Sequence, residues 1–192
     1  MKEKALPEKE KSFSFYLLYS IGSIFINLLC VPLHEAGHAI IYMFQGYKVA
    51  FHFTKADPIS GKETVLGSTG GVTVNILLAL LFLFLFIKYK NILFYMFIAG
   101  NTLCSRVIGS IVAIFFMGRA LEDETFFGKS VHINPVLIQA VILVITASIF
   151  VIATRMLMIQ NTKRYSKYII ISTLIACIIS LAVIAPLDAR GL

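Results

Sequence analysis

Residues 13–44 read FSFYLLYSIGSIFINLLCVPLHEAGHAIIYMF. The part before the first histidine, residues 13–33, carries no charge and is mostly apolar. About 20 such residues are enough for a helix to cross the hydrocarbon of a bilayer. Only helices and closed barrels satisfy the backbone there, and this run shows none of the alternation a barrel strand needs. The stretch therefore predicts a membrane helix that carries His34-Glu35-Ala36-Gly37-His38 toward its far end. Ionisable groups inside a membrane are costly and mark function by default.

Working outward, four further apolar blocks are long enough to span, at about 72–87 (with an uncharged lead-in from residue 65), 92–117, 135–154 and 168–187. The expectation is an all-α integral membrane protein of about five transmembrane helices, with residues 1–192 forming a single domain. Composition agrees: 58% of the 192 residues are hydrophobic and 14% charged, where an ordinary soluble domain has about a quarter charged. The net charge of +7 does not call for a nucleic-acid partner, because lysines and arginines gather between the apolar blocks, where they anchor helices at headgroups. Cys30, Cys104 and Cys177 lie inside apolar blocks without a Cys-x-x-Cys pair and read as small hydrophobes. Residues 2–11 are charged and lead into a run too long for the core of a cleavable signal peptide.

The connections set the topology. Residues 46–71 hold an alternating segment, Lys48-Val49-Ala50-Phe51-His52-Phe53, with turn signals at Asp57-Pro58 and Ser60-Gly61. This predicts a short β-hairpin at the membrane surface or re-entering beside the helices. Residues 88–91 form a tight turn, 118–134 hold the acidic cluster Glu122-Asp123-Glu124, and 155–167 are basic. Counted on alternate sides, ten Lys and Arg fall with the N-terminal tail and six opposite it. The positive-inside rule then favours a cytoplasmic N-terminus in a plasma membrane of bacterial type.

His34 and His38 are four residues apart, so on a helix both imidazoles leave one face. Two such nitrogens suit tetrahedral zinc, which needs one more protein ligand and keeps a position for water. Glu35, next to the first histidine, can reach that water as general base without ligating. This is the His-Glu-x-x-His pattern of zinc metalloproteases. The third ligand must come from elsewhere, with Glu122, Asp123, Glu124, His52, His132, Asp57 and Glu63 as candidates. His52 and His132 read as surface histidines. Asn101 and Arg106, the latter the single charge of its block, read as residues able to line a polar cavity, with Arg106 read rather as a partner for the acidic cluster or as a snorkelling side chain.

The stretch Pro32-Leu33-His34-Glu35-Ala36-Gly37-His38-Ala39-Ile40, followed by Gly70-Gly71-Val72-Thr73-Val74-Asn75 at the opening of the next helix, resembles the site-2 protease family of intramembrane zinc metalloproteases. The resemblance covers roughly residues 13–135. It implies that Asn75, with Gly71, helps to hold the substrate backbone. It also implies that the third zinc ligand is an aspartate from a later segment. Leu121-Glu122-Asp123-Glu124 keeps the leucine and an aspartate of the family's Leu-Asp-Gly sequence but lacks its glycine, which makes Asp123 the choice with Glu122 and Glu124 beside it. In well-known members the zinc lies nearer the cytosolic face, whereas the charge count puts His34 toward the outer half.

The expected function is hydrolysis of a membrane-embedded or membrane-proximal peptide by zinc-activated water. Water would enter near Gly71 and Asn75, and the extended substrate would pair with residues 48–53 as an added strand. The competing expectation is a non-catalytic zinc-binding membrane protein that serves as scaffold, partner or immunity-type factor.

Overall fold

The computed structural model describes residues 13–59, 61–160 and 163–188. The basic tail at residues 2–11, Ser60 of the expected Ser60-Gly61 turn, and Arg190 lie outside the described residues. Among those described, five helices are long and apolar enough to cross a membrane, as a multi-pass membrane protein requires.

Helix α1 (Phe13–Phe44) runs without interruption through Pro32 and through the histidine motif. A two-stranded antiparallel hairpin follows, β1 (Val49–Phe51) and β2 (Ala56–Pro58), with Phe51 opposite Ala56 and Val49 opposite Pro58. The hairpin is where the alternating segment put it, but Asp57-Pro58 belongs to β2 rather than to a turn.

Helix α2 (Val65–Tyr89) begins seven residues before the expected position 72. Thr64 explains the earlier start, because its side chain caps the helix by accepting from the Gly67 N–H at 3.0 Å. Gly67, Gly70 and Gly71 are thus helical residues, and their poor intrinsic propensity is overridden by the packing described below. A left-handed Lys90 (φ 54°) ends α2, and the Asn91 side chain caps the next helix.

Helix α3 (Ile92–Phe116) is the most enclosed span, with 56% of its most apolar window buried against 22–33% for the others. It therefore stands at the centre of the bundle. Its interior contains π-helical turns at Gly100–Ile108 and Val112–Phe116, a departure that accumulates at functional sites. The acidic cluster is not a loop but the first turn of a short helix, α4 (Glu122–Ser130). Three carboxylates at a helix N-terminus suit the positive end of its dipole. Helices α5 (Pro135–Gln160) and α6 (Lys163–Asp188) extend beyond the apolar blocks 135–154 and 168–187, because a helix continues past the hydrocarbon as long as its residues permit.

The bundle is divided along its length. Tyr19, Ile26, Phe86, Tyr95, Leu157 and Ile169 build an apolar core in the half that holds the start of α1. Polar residues gather in the other half. Large side chains such as Leu77, Phe84, Val141, Val144 and Ile178 point outward, as helices facing lipid would present them. Helix α6 braces α1 through buried polar pairs: Tyr19 and Thr173 hydroxyls 2.7 Å apart, and Asn27 donating to Ser180 Oγ at 3.3 Å. Such hydrogen bonds tie helices together where no hydrophobic force separates protein from lipid.

Helices α1 and α2 come into backbone contact. A Cβ on Gly37 would strike the Gly70 carbonyl, and one on Gly70 would strike the Gly37 carbonyl. Gly70→Ala is expected to destabilise the bundle by about 1–3 kcal/mol, read as a lower unfolding midpoint in detergent. Gly22→Ala, which meets only the flexible end of Met96, should change it little. Equal losses from the two would rule out the crossing as a special contact.

Candidate metal centre

The glycines of α2 form a strip that faces the motif of α1 residue by residue. Added Cβ atoms at Gly67, Gly70 and Gly71 would collide with the Tyr42 ring, the Gly37–His38 backbone and the His34 imidazole in turn. Because α2 can come this close, the Gly67 carbonyl reaches His38 Nδ1 at 2.7 Å. That oxygen can only accept, so the shorter contact puts a proton on Nδ1, with the Gly71 N–H farther off at 3.4 Å, and in the neutral ring Nε2 then keeps its lone pair. A histidine held through one ring nitrogen in this way presents the other in a fixed direction, as metal binding would need.

His34 Nε2 and His38 Nε2 are 3.2 Å apart. Asp123, at the start of α4, brings Oδ2 to 3.2 Å from His34 Nε2 and Oδ1 to 3.4 Å from His38 Nε2. A tetrahedral ion with bonds of about 2.0–2.1 Å separates its ligands by roughly 3.3–3.4 Å; the two histidine nitrogens stand near that spacing, and each faces a different oxygen of Asp123 at 3.2 and 3.4 Å. Ligand atoms of His34, Glu35 and His38 also lie within 4.8 Å of one another, so this group could hold a metal ion. Burial alone would raise the Asp123 carboxyl, but its contacts with His34, His38 and Arg106 hold it well below the usual carboxylate range. It is therefore an anion, and available as a ligand, at neutral pH.

Arg106 enters from the first π-helical segment of α3. Its Nη2 donates to Asp123 Oδ2 at 3.0 Å, and its Nη1 to Glu124 Oε1 at 3.1 Å. The same Nη2 is 3.1 and 3.2 Å from the two ring nitrogens of His34. An in-plane approach at equal distances would press it into Cε1, so it lies over the ring, off either lone pair. Burial raises the Glu124 carboxyl despite the opposing pull of Arg106. Four carboxyl groups, Glu35, Glu122, Asp123 and Glu124, share this region with the buried guanidinium of Arg106.

Two cavities meet here. The larger, about 380 Å³, lies within the bundle and is bordered by His34, Glu35, Asn75, Ser105, Arg106 and Asp123. The smaller, about 100 Å³, lies under the hairpin and shares Glu35 and Asp123 with the first. Asn75 is fully buried; its Nδ2 donates to Ser105 Oγ at 3.3 Å, while its Oδ1 has no partner.

The strand beside the centre is β2, not the 48–53 segment expected to receive a substrate. Thr54, Lys55, Ala56 and Asp57 border the smaller cavity. The hairpin bonds fall at Lys48–Ile59 and His52–Lys55, so Ala56 is on a rung without cross-strand bonds and its N–H points away from β1. That N–H bonds to the Glu35 carboxylate.

Of the other candidate ligands, His52 and His132 are exposed, and Asp57 pairs with Lys55 at 3.0 Å. Glu124 is engaged by Arg106. Of the residues expected at the site, the structure brings together His34, Glu35, His38, Gly71, Asn75 and Asp123. Arg106 pairs with the acidic cluster as expected, but its position over His34 had no sequence signal. The same holds for the Gly67 carbonyl, apart from its spacing of four before Gly71.

Comparison with protein-family models, with curated proteins and with solved structures gave no match.

Asp123→Ala should reduce the bound divalent metal of purified protein to well below one ion per chain, while His52→Ala and His132→Ala should retain the wild-type content, measured by elemental analysis. Full metal content in Asp123→Ala would remove that residue from the ligand set.

Proposed function

We propose that the chain is an intramembrane zinc metalloprotease that hydrolyses peptide bonds of a membrane-embedded or membrane-proximal polypeptide. The observation that carries this reading is the triangle of His34 Nε2, His38 Nε2 and the Asp123 carboxylate, with ligand spacings of 3.2–3.4 Å. Nitrogen and carboxylate donors in this number favour zinc with an open coordination position. Zinc, when bound, polarises a carbonyl and lowers the pKa of water toward 7.

The chain's own residues supply the rest. Glu35 borders both cavities, where its carboxylate can take the proton of the attacking water and deliver it to the departing amine. The Ala56 N–H fixes that carboxylate from the hairpin side. Asn75 offers a free amide oxygen to the substrate backbone. With His34, His38 and Asp123 as ligands, Glu35 is left for the water rather than the metal, and its place at the border of both cavities supports an enzyme over the alternative of a zinc-bearing scaffold. The substrate would lie extended beside β2, where the outward carbonyls of Ala56 and Pro58 can accept main-chain hydrogen bonds from it. Charge distribution continues to favour a cytoplasmic N-terminus.

Glu35→Gln is expected to lower cleavage of a reconstituted membrane peptide by about 100-fold or more with zinc content unchanged. Chelation should abolish cleavage in the wild type, and added zinc should restore it. Cleavage by Glu35→Gln at the wild-type rate would exclude this mechanism and return the scaffold reading.

A further inference from the structure

Arg106 is 3% exposed in the middle of the most enclosed span, where an ionised side chain is expected only with a task. Its two terminal nitrogens are held by Asp123 and Glu124, but its Nε is buried and has no partner. Asn75 Oδ1 is in the same condition, and both residues border the larger cavity with Glu35. Beside the candidate base, two residues of the cavity border therefore each keep a buried polar atom without a partner, a donor on Arg106 and an acceptor on Asn75. A peptide group presents the complementary pair, C=O and N–H.

We infer that Arg106 is a catalytic residue of the proposed reaction, the donor that binds the carbonyl oxygen of the scissile peptide and holds its negative charge as it develops. The inference rests on the proteolytic reading. In the step it serves, a water oxygen forms a bond to the carbonyl carbon, the C=O π pair moves onto oxygen beside Arg106, and the water proton passes to Glu35. The C–N bond then breaks, its electron pair stays with nitrogen, and Glu35 returns the proton there. The sum is addition of water across one amide bond, with no redox change. Asp123 and Glu124 hold the guanidinium before substrate arrives, and a donor preorganised in this way acts without reorganisation as charge develops. The π-helical turns of α3 supply the local rotation that aims Arg106 inward from a lipid-spanning helix.

Removing Arg106 alone would strand Glu124 in the bundle, so the test uses Arg106→Met combined with Glu124→Met, which replaces the pair by apolar side chains. Arg106→Lys serves as the second variant, keeping the charge but losing the planar fork. Three quantities are measured on full-length protein in detergent: zinc content, kcat and KM for a cleaved membrane peptide, and affinity for a phosphinic analogue of that peptide, whose tetrahedral anion mimics the developing oxyanion. The double variant should keep its zinc and its KM while kcat falls about 10²–10³-fold and the phosphinic peptide weakens by a similar factor. Arg106→Lys should show a smaller loss of kcat at unchanged KM. Folded, zinc-loaded variants with wild-type kcat and phosphinic affinity would overturn the inference while leaving the protease reading intact. Loss of zinc from both variants would also overturn it, making Arg106 a support for Asp123 alone. A zinc-loaded wild type that neither cleaves the peptide nor binds its phosphinic analogue would overturn the protease reading and this inference with it.

Discussion

The backbones of α1 and α2 touch at Gly37 and Gly70, where neither residue has room for a Cβ, and the position of the centre follows from that contact. At this separation Gly71 lies under the His34 ring and the Gly67 carbonyl reaches His38. Asn75, one turn further along α2, is carried to full burial beside Ser105 of α3. A side chain at the crossing would push the helices apart and withdraw these partners together. Small residues at helix crossings are common in membranes because lipid-like side chains gain nothing from being buried against each other, so close backbone packing has to supply the attraction. Here the same closeness orients an imidazole pair.

The second constraint is charge. Glu35, Arg106, Asp123 and Glu124 sit in the polar half of a bundle whose other half is an apolar core. Buried ions are tolerated when they are paired and hydrogen-bonded. Arg106 meets that condition for Asp123 and Glu124 at 3.0 and 3.1 Å. Helix α4 makes the pairing possible by presenting three carboxylates on one turn, and Gln139 of α5 fixes its start by accepting from the Leu121 N–H at 2.7 Å. Helices α5 and α6 thereby acquire a role: α5 anchors the segment that brings Asp123, and α6 holds α1 through Thr173 and Ser180.

The fold was largely legible in the sequence, since apolar length dictates spanning helices and the alternation at residues 48–53 dictates a hairpin. Its boundaries were less so. The Gly-rich start of α2 has low helical propensity, and only its capping by Thr64 and its packing on α1 make it helical. The Asp57-Pro58 pair reads as a turn from residue type alone, but it lies in β2 because the actual reversal uses residues 52–55. The acidic cluster reads as a loop, and it becomes helical where α4 packs against α2 and α5.

By itself the sequence determined that this is a helical membrane protein with two histidines and a glutamate on one helix, because helical periodicity and the length of apolar runs are local properties. The resemblance to site-2 proteases added Asp123 and Asn75 as expectations. Tertiary structure alone decided which carboxylate stands against His34 and His38, since Glu122, Asp123 and Glu124 are equivalent by composition and differ only in the direction each leaves α4. It also decided that the strand edge beside Glu35 belongs to β2, and that Arg106 lies over His34 with an unpartnered Nε. Each of these depends on the relative placement of segments distant in the chain, which no local pattern encodes.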